Sequence, residues 1–191
     1  MTDFAIEYKG VILDACCLID LYASGRLEDI LSSLSQQVFV ARYVWRDEAL
    51  SIDGASGSDS GFQETSIDLE PLFDSGLLDL ADLETEIEEA LFVNFAASLD
   101  DGEAITGAIA AARNWCVATD DKRARSVFAQ QTPHVHLLSS PELVKLWVDV
   151  AAAGVDEICA VVQRIRRHGH YIPPASHPLY DWWQNYLYGN G

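Results

Sequence analysis

Positive charge is what this chain has least of. Its 191 residues carry 12 Lys and Arg against 30 Asp and Glu, a formal net charge of −18. That balance excludes the broad basic face of an ordinary nucleic-acid-binding protein. An RNA path would have to be a local basic strip, and the acidic body would attract a basic protein partner. Long apolar runs are missing too: none reaches the roughly 18 residues a membrane-spanning helix needs, so no membrane association is expected. The first ten residues, MTDFAIEYKG, have no basic region followed by a long apolar core, so they do not read as a signal peptide. Four cysteines are present, Cys16, Cys17, Cys116 and Cys159. They form no CxxC pair and no Cys/His ligand spacing, which argues against a disulfide framework or a zinc site and fits a reducing cytoplasm. Neither GxxxxGK[ST] nor GxGxxG occurs, and no Ser-His-Asp or Cys-His arrangement is evident.

What is present is concentrated in Leu99 to Arg125, LDDGEAITGAIAAARNWCVATDDKRAR. Asp100, Asp101 and Glu103 open it. Asp100 and Asp101 suit a helix start, where carboxylate oxygens accept orphan amide hydrogens. Ile105, Ile109 and Ala112 recur at helical spacing, and Asn114 tolerates the left-handed conformation that ends many helices. Trp115 to Ala118 then reads as a buried strand. Its carboxyl end delivers Thr119, Asp120 and Asp121 where open α/β sheets place their ligands.

Near the start, Gly10-Val11-Ile12-Leu13 is a second short apolar strand that ends on an acid, Asp14. If the two strands are neighbours in one parallel sheet, Asp14, Asp120 and Asp121 share a cleft, and Glu103 can join them from the first turn of its helix. Clustered carboxylates repel and need a compensating cation. Mg²⁺ or Mn²⁺, hard ions that prefer oxygen, suit that donor set. Each acid also has a plainer reading: Asp14 as a helix N-cap, Asp120 and Asp121 as turn and cap residues, Glu103 as a first-turn acid favoured by the helix dipole.

VILDACCLIDLYASGRL resembles the opening of a PIN-domain nuclease, in which a strand ends in Asp before a helix. DDGEAITGAIAAARNWCVATDDKRAR resembles the second PIN signature, in the branch with GEA and DD..AR spacing. Together the two segments cover under a third of the chain. The resemblance implies a PIN fold and metal-dependent RNA cleavage, with Asp14, Glu103, Asp120, Asp121 and the alternative Asp101 as metal ligands. Adjacent acids rarely point the same way, so one of Asp120 and Asp121 is expected to bind directly and the other to support it or bind a second ion; the family's Thr-x-Asp pattern picks Asp121, and the DD branch allows both. In PIN toxins the helix after the second strand often supplies another acid, and Glu48 matches by place and type. Thr119 would orient a carboxylate or the attacking water. Arg123 and Arg125 would hold phosphate, although Arg125 could equally pair with Asp121 at i, i+4. The family further implies an antitoxin partner, which the excess acid suggests is basic, and a homodimer.

The expected architecture is a three-layer α/β domain with a mostly parallel sheet flanked by helices, over residues 1–140, with an insert around 51–80. Helices are expected over Ala15–Ala23, Arg26–Leu34, Ala41–Leu50, Asp82–Ala97 and Lys122–Gln130, and strands over Gln37–Val40, Ser66–Leu69, Leu77–Leu80 and Val135–Leu138. Ser51 to Gly61 reads as a Ser/Gly/Asp-rich loop. Glu84, Glu86, Glu88 and Glu89 read as a solvated face. His134 and His136, alternate on one strand, lack a third ligand and read as exposed. Residues 141–191 carry two helices, Pro141–Ala151 and Val155–Arg167, and an aromatic tail, Tyr171 to Gly191, expected to pack on the same body. Arg164, Arg166, Arg167, His168 and His170 precede that tail, and basic groups beside aromatics could also contact RNA. The functional expectation is a divalent-metal-dependent endoribonuclease, which the resemblance extends to the toxin of a toxin–antitoxin pair; the alternative is an inactive PIN-like interaction module. A DxDx[TV] phosphatase is excluded because Asp14 is followed by Ala15-Cys16.

Overall fold

The structure is a computed structural model and describes residues 8–48, 50–53 and 64–189. The first strand, β1 (Gly10–Leu13), is buried along its whole length, as a strand covered on both faces must be. It leads through α1 (Ala15–Ala23) and α2 (Leu27–Ser32) to β2 (Gln37–Ala41) and α3 (Arg42–Asp47). A separate antiparallel pair, β3 (Ser51–Asp53) and β4 (Glu64–Ser66), comes next, followed by α4 (Glu70–Asp74) and β5 (Leu78–Ala81). Then α5 (Glu86–Ala96), α6 (Asp101–Arg113), β6 (Cys116–Ala118), α7 (Lys122–Gln131) and β7 (Leu137–Leu138) complete the sheet region. Two further helices, α8 (Ser140–Ala151) and α9 (Val155–Arg164), a π-helical turn at Ile165–Gly169, and α10 (Tyr180–Leu187) follow.

The five-stranded sheet has the order β5-β2-β1-β6-β7, and every pairing in it is parallel. Val11 sits opposite Cys116 and Leu13 opposite Ala118. The chain leaves β1 toward β2 on one side, while β6 lies on the other. The carboxyl ends of β1 and β6 therefore flank the switch point of the sheet, where crevices open. Helices pack around this sheet, and the core runs from Leu18 and Leu21 through Val40, Ile109 and Val117 to Leu143 and Val144, all almost fully buried.

Local signals explain the elements around the site. Asp14, Asp100 and Asp121 each accept a backbone N–H at the start of α1, α6 and α7. At α6 this is a reciprocal capping box: Glu103 N–H donates to Asp100 Oδ1 at 2.9 Å while Asp100 N–H reaches Glu103 Oε2 at 3.4 Å. Asn114 ends α6 in the left-handed conformation, φ 55°. Gly107 leaves room on α6 for the ring of Phe128, which meets Phe95 edge-on at 5.4 Å.

Several expectations need correction. α3 stops at Asp47, and Glu48 is already extended (φ −94°, ψ 142°), because the chain runs on into the β3–β4 pairing. Of the expected Ser51–Gly61 loop, 51–53 form β3 and 54–61 lie outside the described residues. The segment 66–69 is not a strand; β4 ends at Ser66, and Pro71 sits in the first turn of α4. The helix expected from Asp82 begins at Glu86, after a Thr85 capping box. Glu88 is not on a solvated face: it is 2% exposed and ion-paired with Arg113 at 2.6 Å. His134 and His136 precede β7 and are exposed; His134 Nε2 lies 3.2 Å from Ala111 O, and His136 stacks on Tyr8. The tail contains α10, with Trp183 fully buried and Leu187 nearly so.

Candidate active site

The parallel register of β1 and β6 brings Asp14 next to Thr119. Asp14 is 4% exposed. Its Oδ1 accepts from Ala15 N–H at 2.9 Å, so it is a true N-cap. Its Oδ2 turns to the neighbouring strand, accepting from the Thr119 hydroxyl at 2.8 Å and from the Cys16 thiol at 3.3 Å. Burial pushes the Asp14 carboxyl up, the bonds from Thr119, Cys16 and Ala15 pull it down, and the Asp100 charge adds to the rise; the net direction is up.

Four other acids gather around it. Glu48 is raised to about 7, by burial first and then by the charges of Asp14 and Asp100. Glu103 is raised to about 7 by burial and by Asp100, Asp121 and Asp14, against the backbone bond from Asp100. Asp121 caps α7 with Oδ1 on Ala124 N–H at 2.7 Å. Glu48 reaches over α6 at Gly102: a Cβ added there would overlap the Glu48 carboxylate. The glycine of the GE pair is thus the floor on which Glu48 rests. Asp14, Glu48, Asp100, Glu103 and Asp121 therefore form one electrostatic cluster at the switch point.

Asp101, on the outward side of the same turn, is exposed, and the phenol of Tyr43 is pushed up by burial and by its charge. Asp120 points the other way from Asp121. Its Oδ1 accepts from Tyr171 OH at 2.8 Å, and its Oδ2 from Ser140 N–H at 3.0 Å and the Cys17 thiol at 3.1 Å. The adjacent acids thus divide between two environments. Asp120 shares its side with buried Asp20, which burial and the Asp120 charge raise to about 9. The arginines differ as well. Arg125 donates from Nη1 to the carbonyls of Thr119 and Leu138, at 2.9 and 2.8 Å, and so ties the ends of β6 and β7; among the described residues it forms no ion pair with Asp121. Arg123 is exposed on α7.

Sequence reasoning treated Asp100 only as a cap, and nothing in residue type distinguishes a cap that also enters a charge cluster. Tyr171, fifty-one residues beyond Asp120, carried no local signal for its contact with that residue.

The donor chemistry suits a hard divalent ion: Asp14, Glu48 and Glu103, raised by burial and then by neighbouring charges, gain most from a cation. Among the described residues, however, no three His, Cys, Asp or Glu side chains converge closely enough to hold a metal as they stand. Asp14, Asp100, Glu103 and Asp121 are each committed in part to a backbone amide.

A parallel α/β sheet with acids gathered at its switch point is the class of protein that fold and site define. The chain belongs to the PIN-domain family: a family model of that description matches residues 10–136, more than half its length. No curated protein matches it. Among solved structures it is similar to VapBC2 from Rickettsia felis bound to a DNA fragment from their promoter, at 14% identity and a TM-score of 0.37, over 68% of this chain and 98% of that one. Among the described residues no helix is long and apolar enough to cross a membrane.

Proposed function

We propose that this chain is a divalent-metal-dependent endoribonuclease. The observation that carries the reading is the gathering of Asp14, Glu48, Asp100, Glu103 and Asp121 at the switch point, with Glu48 and Glu103 raised to about 7 by burial and by their neighbours' charges. Asp14, Glu103 and Asp121 would hold Mg²⁺ or Mn²⁺, with Asp100 beside them. A divalent ion bound there supplies positive charge against the phosphate and a water of lowered pKa. Thr119 fixes the Asp14 carboxylate through its hydroxyl. Glu48, half-buried and near-neutral in pKa, accepts a proton as water attacks phosphorus and the ribose oxygen leaves. Arg123, exposed two residues after Asp121, meets the RNA backbone. Asp101 and Asp120 serve around the cluster rather than within it, and Arg125 holds the strand ends in place.

A toxin role, with the chain paired as a homodimer in the cytoplasm, belongs to the same reading through the family; the charge of −18 favours a basic antitoxin as partner, although that charge and the C-terminal extension depart from a small toxin's pattern. The alternative is an inactive interaction module. It is favoured by the absence, among the described residues, of three acids already converged on one point.

Calorimetric titration of Mn²⁺ into wild type and Asp14→Asn, followed by an RNA cleavage assay with and without metal, tests both. Binding and metal-dependent cleavage in wild type, with both lost in the folded variant, supports the nuclease. A folded Asp14→Asn protein that cleaves RNA as wild type does would falsify it, and no binding in either protein leaves the interaction module.

A further inference from the structure

The cleft beside the acid cluster is not built from the family region alone. It encloses about 510 Å³ between the carboxyl edge of the sheet and the segment that follows α9. That size falls within the roughly 300–1,000 Å³ usual for small-ligand sites. One wall is Lys122 and Arg125 from α7, and the other is Tyr171, Pro174, His177 and Pro178. Asp120 lies at its floor, one residue from Asp121, so the cleft and the acid cluster are contiguous along the chain.

We infer that this cleft is a nucleotide subsite, holding the base and phosphate of the RNA residue next to the cleaved bond; the inference rests on the ribonuclease reading and names where its substrate sits. Three observations carry it. The first is charge: in a chain of net charge −18 with 12 Lys and Arg, Lys122 and Arg125 line this one cleft together, and neither forms an ion pair among the described residues. The second is the direction of the acid that lines the cleft: both oxygens of Asp120 accept donors from the protein, Oδ1 from Tyr171 and Oδ2 from Ser140 and Cys17, so its carboxylate is engaged by the protein.

The third is the preset state of His177. Its Nδ1 accepts Leu179 N–H at 3.1 Å, which puts the ring proton on Nε2, 3.0 Å from Ser139 Oγ. Ser139 in turn donates to Glu142 at 2.6 Å. Burial holds the imidazole below its usual pKa; Glu142 and Asp120 oppose this and Arg125 adds to it. The ring is therefore a neutral flat surface of fixed orientation, between two prolines, with cations opposite. That combination recognises a base by its face and a phosphate by its charge. The same hydrogen bonding excludes Ser139 as a nucleophile, since Nε2 carries the proton and cannot take one.

The test is binding of adenosine and uridine 5′-monophosphates, with inorganic phosphate as control, to the full-length protein without divalent ions, followed by NMR or calorimetry. Nucleotides should bind and inorganic phosphate should not; His177→Ala should weaken them about tenfold, the loss of one stacked base, and exposed Lys122→Ala about threefold with stronger loss at low salt. His177→Ala could loosen the tail, so Lys122→Ala, whose side chain makes no hydrogen bond or ion pair among the described residues, decides in that case. The same isotherm should survive Asp14→Asn. Inorganic phosphate bound as tightly as nucleotide, or nucleotide binding indifferent to both cleft variants, overturns the subsite while leaving cleavage intact. RNA cleavage that persists in Asp14→Asn overturns the ribonuclease reading, and the cleft's role in cleavage with it, even where the nucleotide isotherm is unchanged.

Discussion

The Thr119 hydroxyl donates to Oδ2 of Asp14 at 2.8 Å, joining the ends of two neighbouring parallel strands by a bond between fully and almost fully buried side chains. It fixes the carboxylate whose charge is felt by Glu48 and Glu103 and which feels that of Asp100. Replacing Thr119 with Val removes the donor and keeps the shape. The expected cost is about 1–2 kcal/mol of stability, because Asp14 Oδ2 keeps only the weak Cys16 thiol donor and Asp121 N–H loses the hydroxyl it donates to at 3.2 Å, and a drop in RNA cleavage of roughly tenfold from a freed Asp14 rotamer. Chemical denaturation and a cleavage time course measure the two separately, and cleavage equal to wild type would show that Asp14 needs no such bond.

Gly102→Ala should dissociate activity from stability. A methyl group there meets the Glu48 carboxylate, the far end of a flexible side chain, so the helix tolerates it and Glu48 swings away. Alanine within α6 adds up to about 1 kcal/mol of helix stability. Unchanged or raised thermal stability with reduced cleavage is expected; full activity would remove Glu48 from the mechanism.

Without divalent ions, stability should fall as pH rises from about 4.5 to above 7. Glu48 and Glu103 have folded-state pKa values of about 7, raised from 4.5, so the folded form binds more protons than the unfolded chain across that window. A bound cation reverses the repulsion, so Mn²⁺ should raise the melting temperature more at pH 8 than at pH 5. An equal shift at both pH values would mean that the ion binds elsewhere.

Asp20→Asn should stabilise the protein at alkaline pH. The folded-state pKa of about 9 means that Asp20 stays protonated at neutrality, and its contribution is lost as pH rises through 9. Asparagine has no charge to bury, so the variant should gain roughly 1–2 kcal/mol at pH 9 and little at pH 4. Melting curves at the two values decide it.

Glu88→Ala should be the most damaging of these changes, by about 3 kcal/mol. Glu88 accepts from Arg113 at 2.6 Å and from the N–H groups of Glu84 and Thr85 at 2.6 and 3.0 Å, so its loss strands two amides and leaves Arg113 with only the Asp82 carbonyl at 2.7 Å and exposed Glu84 at 3.5 Å. Burial raises its carboxyl, yet these bonds win and hold it below the usual range. Its contribution is therefore present above pH 4.5 and is lost as pH falls through the lowered value. A urea midpoint unchanged from wild type would contradict this.

The switch-point sheet and the neighbouring positions of Asp14 and Thr119 were legible because strands that end in acid, in the right order, leave few arrangements. What could not be read were directions. Asp120 and Asp121 are adjacent and identical in type, yet one caps α7 and the other turns to Tyr171. Glu48 was found by its place after the second strand, although the helix expected to carry it ends one residue earlier. Glu88 looked solvated because helical periodicity does not reveal an arginine twenty-five residues away that folds back onto it.

The bond from Tyr171 to Asp120 has a temporal side. Translation delivers the acid first and its phenolic partner fifty-one residues later, so a ribosome-bound chain that has emitted β6 still has an unsatisfied carboxylate next to Asp121. The cleft wall of Pro174, His177 and Pro178 arrives later still. A growing chain therefore carries Asp120 well before it carries the phenol and the cleft wall that face it, so the acid end of β6 is settled by residues made long after the strand itself.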